Sequence, residues 1–196
     1  TRSEESRTKR EALIALCDLA AEPKNKILFL EEGRLKAVLR VLTEERDSNE
    51  LLCFATATLR HLTLCEDLKR KLYNHECLAP VLSQCRNKHE ELQRHCAGVI
   101  ANLADDSQNQ VDIARFSNCL VTIGELGIES NQVSVKRDVA RAYALLSSSP
   151  ENHFGIFTDE VITKMRIFLE GALKIEEVGI AMGLALGNLA VAQANH

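Results

Sequence analysis

Tryptophan is missing from these 196 residues, aromatic side chains make up 4%, and there are only three prolines and nine glycines. With so few enforced turns and so much Ala and Leu, the composition is helical. No stretch approaches the roughly 18 consecutive apolar residues of a membrane span. The opening TRSEESRTKREALIAL has neither an initiator Met nor an apolar signal region. No secretory signal is therefore visible, and the expectation is a fragment of a longer chain that could carry an anchor elsewhere. Excess positive charge is lacking too: 24 Lys and Arg face 28 Asp and Glu, a net charge of −4. That balance gives no general attraction to nucleic acid, and no nucleic-acid partner is expected.

Chemistry-bearing motifs are equally scarce. There is no G-x-x-x-x-G-K loop and no G-x-G-x-x-G to cradle phosphate. Cys77, Cys85, His89 and His95 share one stretch, and His61, Cys65 and His75 lie near it, but their spacings are not the tight pairs that zinc prefers. None of the seven cysteines sits in a nucleophile elbow, and most fall at helix-core positions. The odd cysteine count and the apolar contexts (ALCDL, LLCFA, RHCAGVIANL) speak for free, buried thiols in a reduced, cytoplasmic protein. The expectation is no catalytic residue, no metal and no cofactor.

What the sequence does contain is a repeat. ALIALCDLA, ATATLRHLT, CAGVIANLA, VARAYALLS and MGLALGNLA align on Leu19, Leu62, Leu103, Leu146 and Leu189, at steps of 43, 41, 43 and 43 residues. Three residues before each stands Leu16, Leu59, Ile100, Tyr143 or Leu186. A second ladder, Leu35, Leu78, Leu120 and Val161, runs at steps of 43, 42 and 41. Apolar residues recur at helical spacing, as in Ala12, Ala15, Leu16 and Leu19, and strict alternation is absent. Breakers and caps fall between the segments: Pro23, Gly33, Asp47-Ser48, Asp105-Asp106 and Ser147-Ser148-Ser149-Pro150. Pro80 falls in an early turn of its helix, where it is tolerated near the start. Each unit is thus a short, a medium and a long helix: a partial unit over 1–20, then 21–63, 64–104, 105–147 and 148–192, in a single domain over 1–196. One such unit cannot bury its apolar face alone, so the units must stack.

The unit resembles the armadillo repeat, whose third helix carries A-x-x-x-L-x-N-L-A. The nearest matches are Ile100-Ala101-Asn102-Leu103-Ala104 and Leu186-Gly187-Asn188-Leu189-Ala190, with Gly33 opening the second helix of the first full unit. The resemblance covers nearly all of residues 3–196, and HEAT repeats are the neighbouring class. It implies an all-α, right-handed α-solenoid of stacked three-helix repeats that acts as a protein-binding scaffold or adaptor. Its third helices would line a concave groove, and an Asn before the last Leu would hydrogen-bond an extended partner backbone. That slot holds Asp18, His61, Asn102, Leu145 and Asn188. Where nuclear-import receptors of the family carry Trp, this chain has Ile14, Ala57, Gly98, Arg141 and Leu184, which disfavours capture of a basic peptide.

On a helical wheel the groove face collects Arg7, Arg10, Arg60, Arg94, Arg137 and Arg141, with Arg10, Arg94 and Arg137 in one repeating slot. Glu50, Glu91 and Glu177 share that face near the helix starts. Arg10, Arg60, His61, Arg94, Asn102, Arg137, Arg141 and Asn188 are therefore the candidate groove residues. A merely solvated charged face competes with this reading. Guanidinium forks suit carboxylate or phosphate, so the expected partner is a protein or peptide segment that is acidic or phosphorylated. The alternative is a regulatory module of a larger enzyme that senses a phosphate-bearing small molecule. The apolar GIAMGLALGNLAVAQ segment suggests further repeats, or self-association through the last helix.

Overall fold

The computed structural model describes residues 2–30, 33–74 and 76–193. It contains twelve α-helices and no strand among these residues. The long third helices are α1 (Arg2–Ala21), α3 (Asn49–Thr63), α6 (Glu90–Ala104), α9 (Val133–Ser147) and α12 (Glu176–Gln193). Between them come the first helices α4 (Glu66–Asn74), α7 (Ser107–Arg115) and α10 (His153–Ile156), and the second helices α2 (Arg34–Glu44), α5 (Leu78–Gln84), α8 (Cys119–Glu129) and α11 (Asp159–Ala172). The third helices pack in series, α1 on α3, α3 on α6, α6 on α9 and α9 on α12, to form one continuous layer. The chain is an all-α, right-handed solenoid of armadillo type.

The helices start where polar side chains cap them. Ser48 accepts a hydrogen bond from the Leu51 amide at 3.3 Å, Asp106 from Gln108 at 2.9 Å, and Thr158 from Val161 at 3.4 Å. The turn from a third helix into the next first helix is tied back by an amide. Asn109 donates to the Leu103 carbonyl at 3.1 Å and Asn152 to the Leu146 carbonyl at 2.9 Å, which satisfies acceptors that a helix end leaves open. Two residues before each of Leu35, Leu78 and Leu120, the chain takes a left-handed conformation: Gly33 at φ 74°, Glu76 at φ 60° and Asn118 at φ 58°. Gly and Asn tolerate this turn, whereas Glu is strained in it. Pro80 lies in the first turn of α5, where its missing N–H breaks no helical bond.

Two expectations need correcting. The first unit opens with two 3₁₀ turns, Pro23–Asn25 and Ile27–Phe29, in place of a short α-helix. Pro23 starts this segment, and i→i+3 bonds such as Phe29 N–H to the Lys26 carbonyl at 3.2 Å carry it. Phe29 is buried there while Ile27 and Leu28 are exposed. The second correction concerns the outermost helices. Leu62, Leu103, Leu146 and Leu189 are buried, but Leu19 and Leu186 are exposed. In α1 the buried residues are Leu13 and Ala20, so the stripe through Ala12, Ala15 and Leu19 is not the packed one. Among the described residues, α1 is covered by α3 only on one side and α12 by α9. A repeat motif marks two packing faces, and a third helix with only one other third helix beside it buries only one of them.

Candidate partner-binding cleft

The third-helix layer carries a cleft of about 570 Å³ lined by Arg60, His61 and Leu64 of α3 and its end, Arg94, His95 and Asn102 of α6, and Arg137, Asp138 and Arg141 of α9. Six of the eight groove residues read from the sequence meet there: Arg60, His61, Arg94, Asn102, Arg137 and Arg141. Arg10 lies apart on α1, paired with Glu50 of α3 at 2.7 Å with both side chains about half exposed. Asn188 lies on α12, where its amide donates to the Ser147 hydroxyl at 3.1 Å.

Each helix delivers its charge by a different route. Arg60 ends its helix turn beside α6 and reaches the Asp138 carboxylate on α9, 3.7 Å from it. It can cross because position 98 is glycine: a methyl group there would overlap the Arg60 guanidine. Arg141, one turn beyond Asp138 on the same helix, stands 3.8 Å from the other carboxylate oxygen. Both separations exceed hydrogen-bond length, so Asp138 holds these guanidiniums by charge without occupying their N–H groups. Arg94 is engaged more fully, since Glu91 one turn earlier receives its Nε at 3.1 Å and a second contact from its terminal nitrogen. Arg137 leans the other way, 3.4 Å from the exposed Glu177 of α12.

Asn102 is buried and serves the protein itself. Its amide donates to the Thr63 hydroxyl at 3.1 Å, and its oxygen accepts from Arg141. Asn188 repeats the first of these contacts two layers on, at Ser147. The two asparagines therefore clamp the end of the preceding third helix, and Asn102 also aims Arg141.

The electrostatics follow from crowding. Burial, with Arg94 beside it, lowers the pKa of His95 to about 4, against the weaker pull of Glu91 at 3.2 Å. Burial, Lys26 and Arg60 lower that of His61. Both imidazoles are thus neutral near pH 7. Burial raises the Asp138 carboxyl, opposed by Arg141, Arg60, Arg94 and Arg137. Glu91 is held below its usual range chiefly by the Arg94 hydrogen bond.

Sequence reasoning missed Asp138, His95 and Gly98 as parts of this site. Asp138 sits three residues before Arg141, on the same helical face, and that spacing is the signal that could have found it. Elsewhere, Cys53 occupies the slot of Arg94 in its own repeat and lies 3.4 Å from His89 Nδ1. Burial pushes its thiol up to about 11, which is the opposite of nucleophile activation. Cys77 is pushed up to about 12 for the same reason. Among the described residues no three His, Cys, Asp or Glu side chains gather as a metal site would require, and no helix is long and apolar enough to cross a membrane. His75, part of the metal consideration above, lies outside the described residues.

No family model and no curated protein matches the sequence. Solved structures do match. A designed armadillo repeat protein in complex with the peptide (KR)4 aligns at a TM-score of 0.74 and 19% identity, over 92% of this chain and 74% of that one. Computationally designed armadillo repeat proteins for modular peptide recognition align at 0.76 and 20%, over 91% and 74%. A structure from work on a phosphorylation switch in the interaction between cadherin and beta-catenin aligns at 0.79 and 18%, over 96% of this chain but 38% of that one. Similarity at this level of identity concerns the backbone, and it agrees with the stacking of three-helix units around one layer of long helices. The chain has the armadillo-repeat fold.

Proposed function

We propose that this chain is a non-enzymatic scaffold or adaptor of the cytoplasm that binds an extended acidic or phosphorylated segment of a partner protein along its third helices. The observation that carries this reading is the convergence of four guanidiniums, from three successive repeats, in one open cleft. A surface that is merely solvated would spread its arginines, yet Arg60 is routed across Gly98 to join the others. The designed neighbour solved with (KR)4 holds a basic peptide. Here four arginines line the cleft, which supports a ligand of the opposite charge.

Fluorescence anisotropy with the labelled peptides (Glu-Ser)4 and (KR)4 tests the proposal. The acidic peptide is expected to bind, weakening as salt rises, and to lose binding in the Arg94→Glu/Arg137→Glu variant. Preference for (KR)4, or equal binding of (Glu-Ser)4 by wild type and variant, would remove the cleft from the function.

A further inference from the structure

The cleft holds more hydrogen-bond donors than its own carboxylates use. Arg141 Nε is a buried donor with no partner, and the neutral His95 ring leaves its Nδ1 unpartnered as well; these are two of the three such side-chain atoms among the described residues. Arg60 meets only the Asp138 carboxylate, at 3.7 Å, and forms no hydrogen bond with it. Leaving buried donors unpaired is costly, and native proteins rarely do it without a reason. Here the unspent groups come from α3, α6 and α9 and line one space.

We infer that this space seats one phosphate monoester, carried by a phosphoserine or phosphothreonine of the bound segment, with Arg60 and Arg141 as its main donors and Arg137 at the mouth. The inference rests on the groove reading above and narrows it. The first argument is charge. Four arginines face Asp138, Glu91 and the exposed Glu177, so positive charge remains after the internal pairs are made. A side-chain carboxylate would balance that one excess charge, whereas a phosphate monoester, with nearly two, would also draw Arg137 from the exposed Glu177. The second argument is shape. A carboxylate is planar with two oxygens, while a phosphate offers three acceptors in a tetrahedral spread. That spread suits donors arriving from different directions, Arg60 from α3 and Arg137 and Arg141 from α9. Asp138 is then the internal carboxylate that keeps Arg60 and Arg141 gathered without filling their N–H groups. Gly98 is a positioning residue, because it gives Arg60 the room to reach the site.

The test compares three immobilised degenerate nonapeptide libraries that differ only at the central residue: phosphoserine, glutamate and serine. The phosphoserine library is expected to be held at least about tenfold more tightly than the glutamate library. Arg141→Lys keeps the charge but loses the fork, and it should abolish this preference while Arg10→Lys leaves it intact. Gly98→Ala should weaken phosphoserine binding by displacing Arg60, with circular dichroism showing that the helices persist. Equal retention of the phosphoserine and glutamate libraries would overturn the phosphate assignment and leave the acidic groove standing. Retention of neither above the serine library would overturn both readings. Glucose 6-phosphate and inorganic phosphate serve as competitors, and displacement of the phosphoserine library by either at equal concentration would overturn the assignment to a phosphorylated segment.

Discussion

Helices α6 and α12 occupy the same place in their repeats and carry the same Asn-Leu-Ala ending, yet they live in different surroundings. Twelve of the fifteen residues of α6 are buried, and they run round most of its circumference. In α12 the buried residues are Val178, Met182, Ala185 and Leu189, one stripe against α9, while Ile180, Leu184, Leu186 and Val191 are exposed. The polar residues differ in parallel. Arg94 of α6 works within a cluster of charges from three helices, whereas Arg10, in the same slot of α1, makes one exposed pair with Glu50. Hydrophobicity and slot position are therefore shared along the solenoid, but burial and electrostatic coupling depend on how many neighbours a helix has.

Truncation of one leucine in each helix, buried in α6 and exposed in α12, sharpens this contrast most. Leu103→Ala in α6 is expected to cost about 3 kcal/mol, because it removes contacts and leaves a cavity between layers. Leu184→Ala in α12 should stay within about 0.5 kcal/mol. Urea unfolding followed by circular dichroism measures both, and equal losses would break the comparison between inner and outer helices.

Acid should act next, and through the inner layer. His95 of α6 titrates near pH 4 in the folded state against about 6.5 for a free imidazole, so the unfolded chain binds the proton first as pH falls. Stability from keeping this ring neutral is complete above about pH 6.5 and is lost progressively down to about pH 4, by up to roughly 3 kcal/mol. His95→Gln should flatten the stability profile across that window. An unchanged profile in the variant would show that the acid sensitivity belongs to another group.

The smallest effect concerns the left-handed turn before the second helices. Glu76→Gly should stabilise by about 1 kcal/mol, since glycine takes a φ of 60° without the Cβ penalty. Gly33→Ala, in the outer unit with φ 74°, should cost a similar amount despite the open space around it. Thermal melts of the two variants should shift in opposite directions. Shifts of the same sign would mean that the turns are not equivalent.

Much of the architecture was legible because its signals are local. The steps of 41 to 43 residues, the caps at Ser48 and Asp106 and the buried anchors Leu62, Leu103 and Leu146 all lie within single helices or single turns. Six of the eight groove candidates meet in one cleft because a helical wheel places them on one face. Other features were not legible. Nothing near Glu76 announces a left-handed residue, although Gly33 and Asn118 in the equivalent turns are the usual occupants. Asn102 matches a motif read as backbone-binding, but its amide is spent on Thr63 and Arg141, residues 39 positions away on either side.

That distance separates what the chain determined alone from what its stacking decided. Helix period, caps and repeat length follow from contacts three or four residues apart, which the backbone hydrogen bonds of one helix fix without outside help. Whether Leu186 is core or surface, whether Gly98 is a gap or a passage for Arg60, and whether Asp138 gathers arginines all depend on the neighbouring layer. The rotation of one helix against the next sets those pairings, and that rotation is chosen by packing between units rather than by any pattern within one.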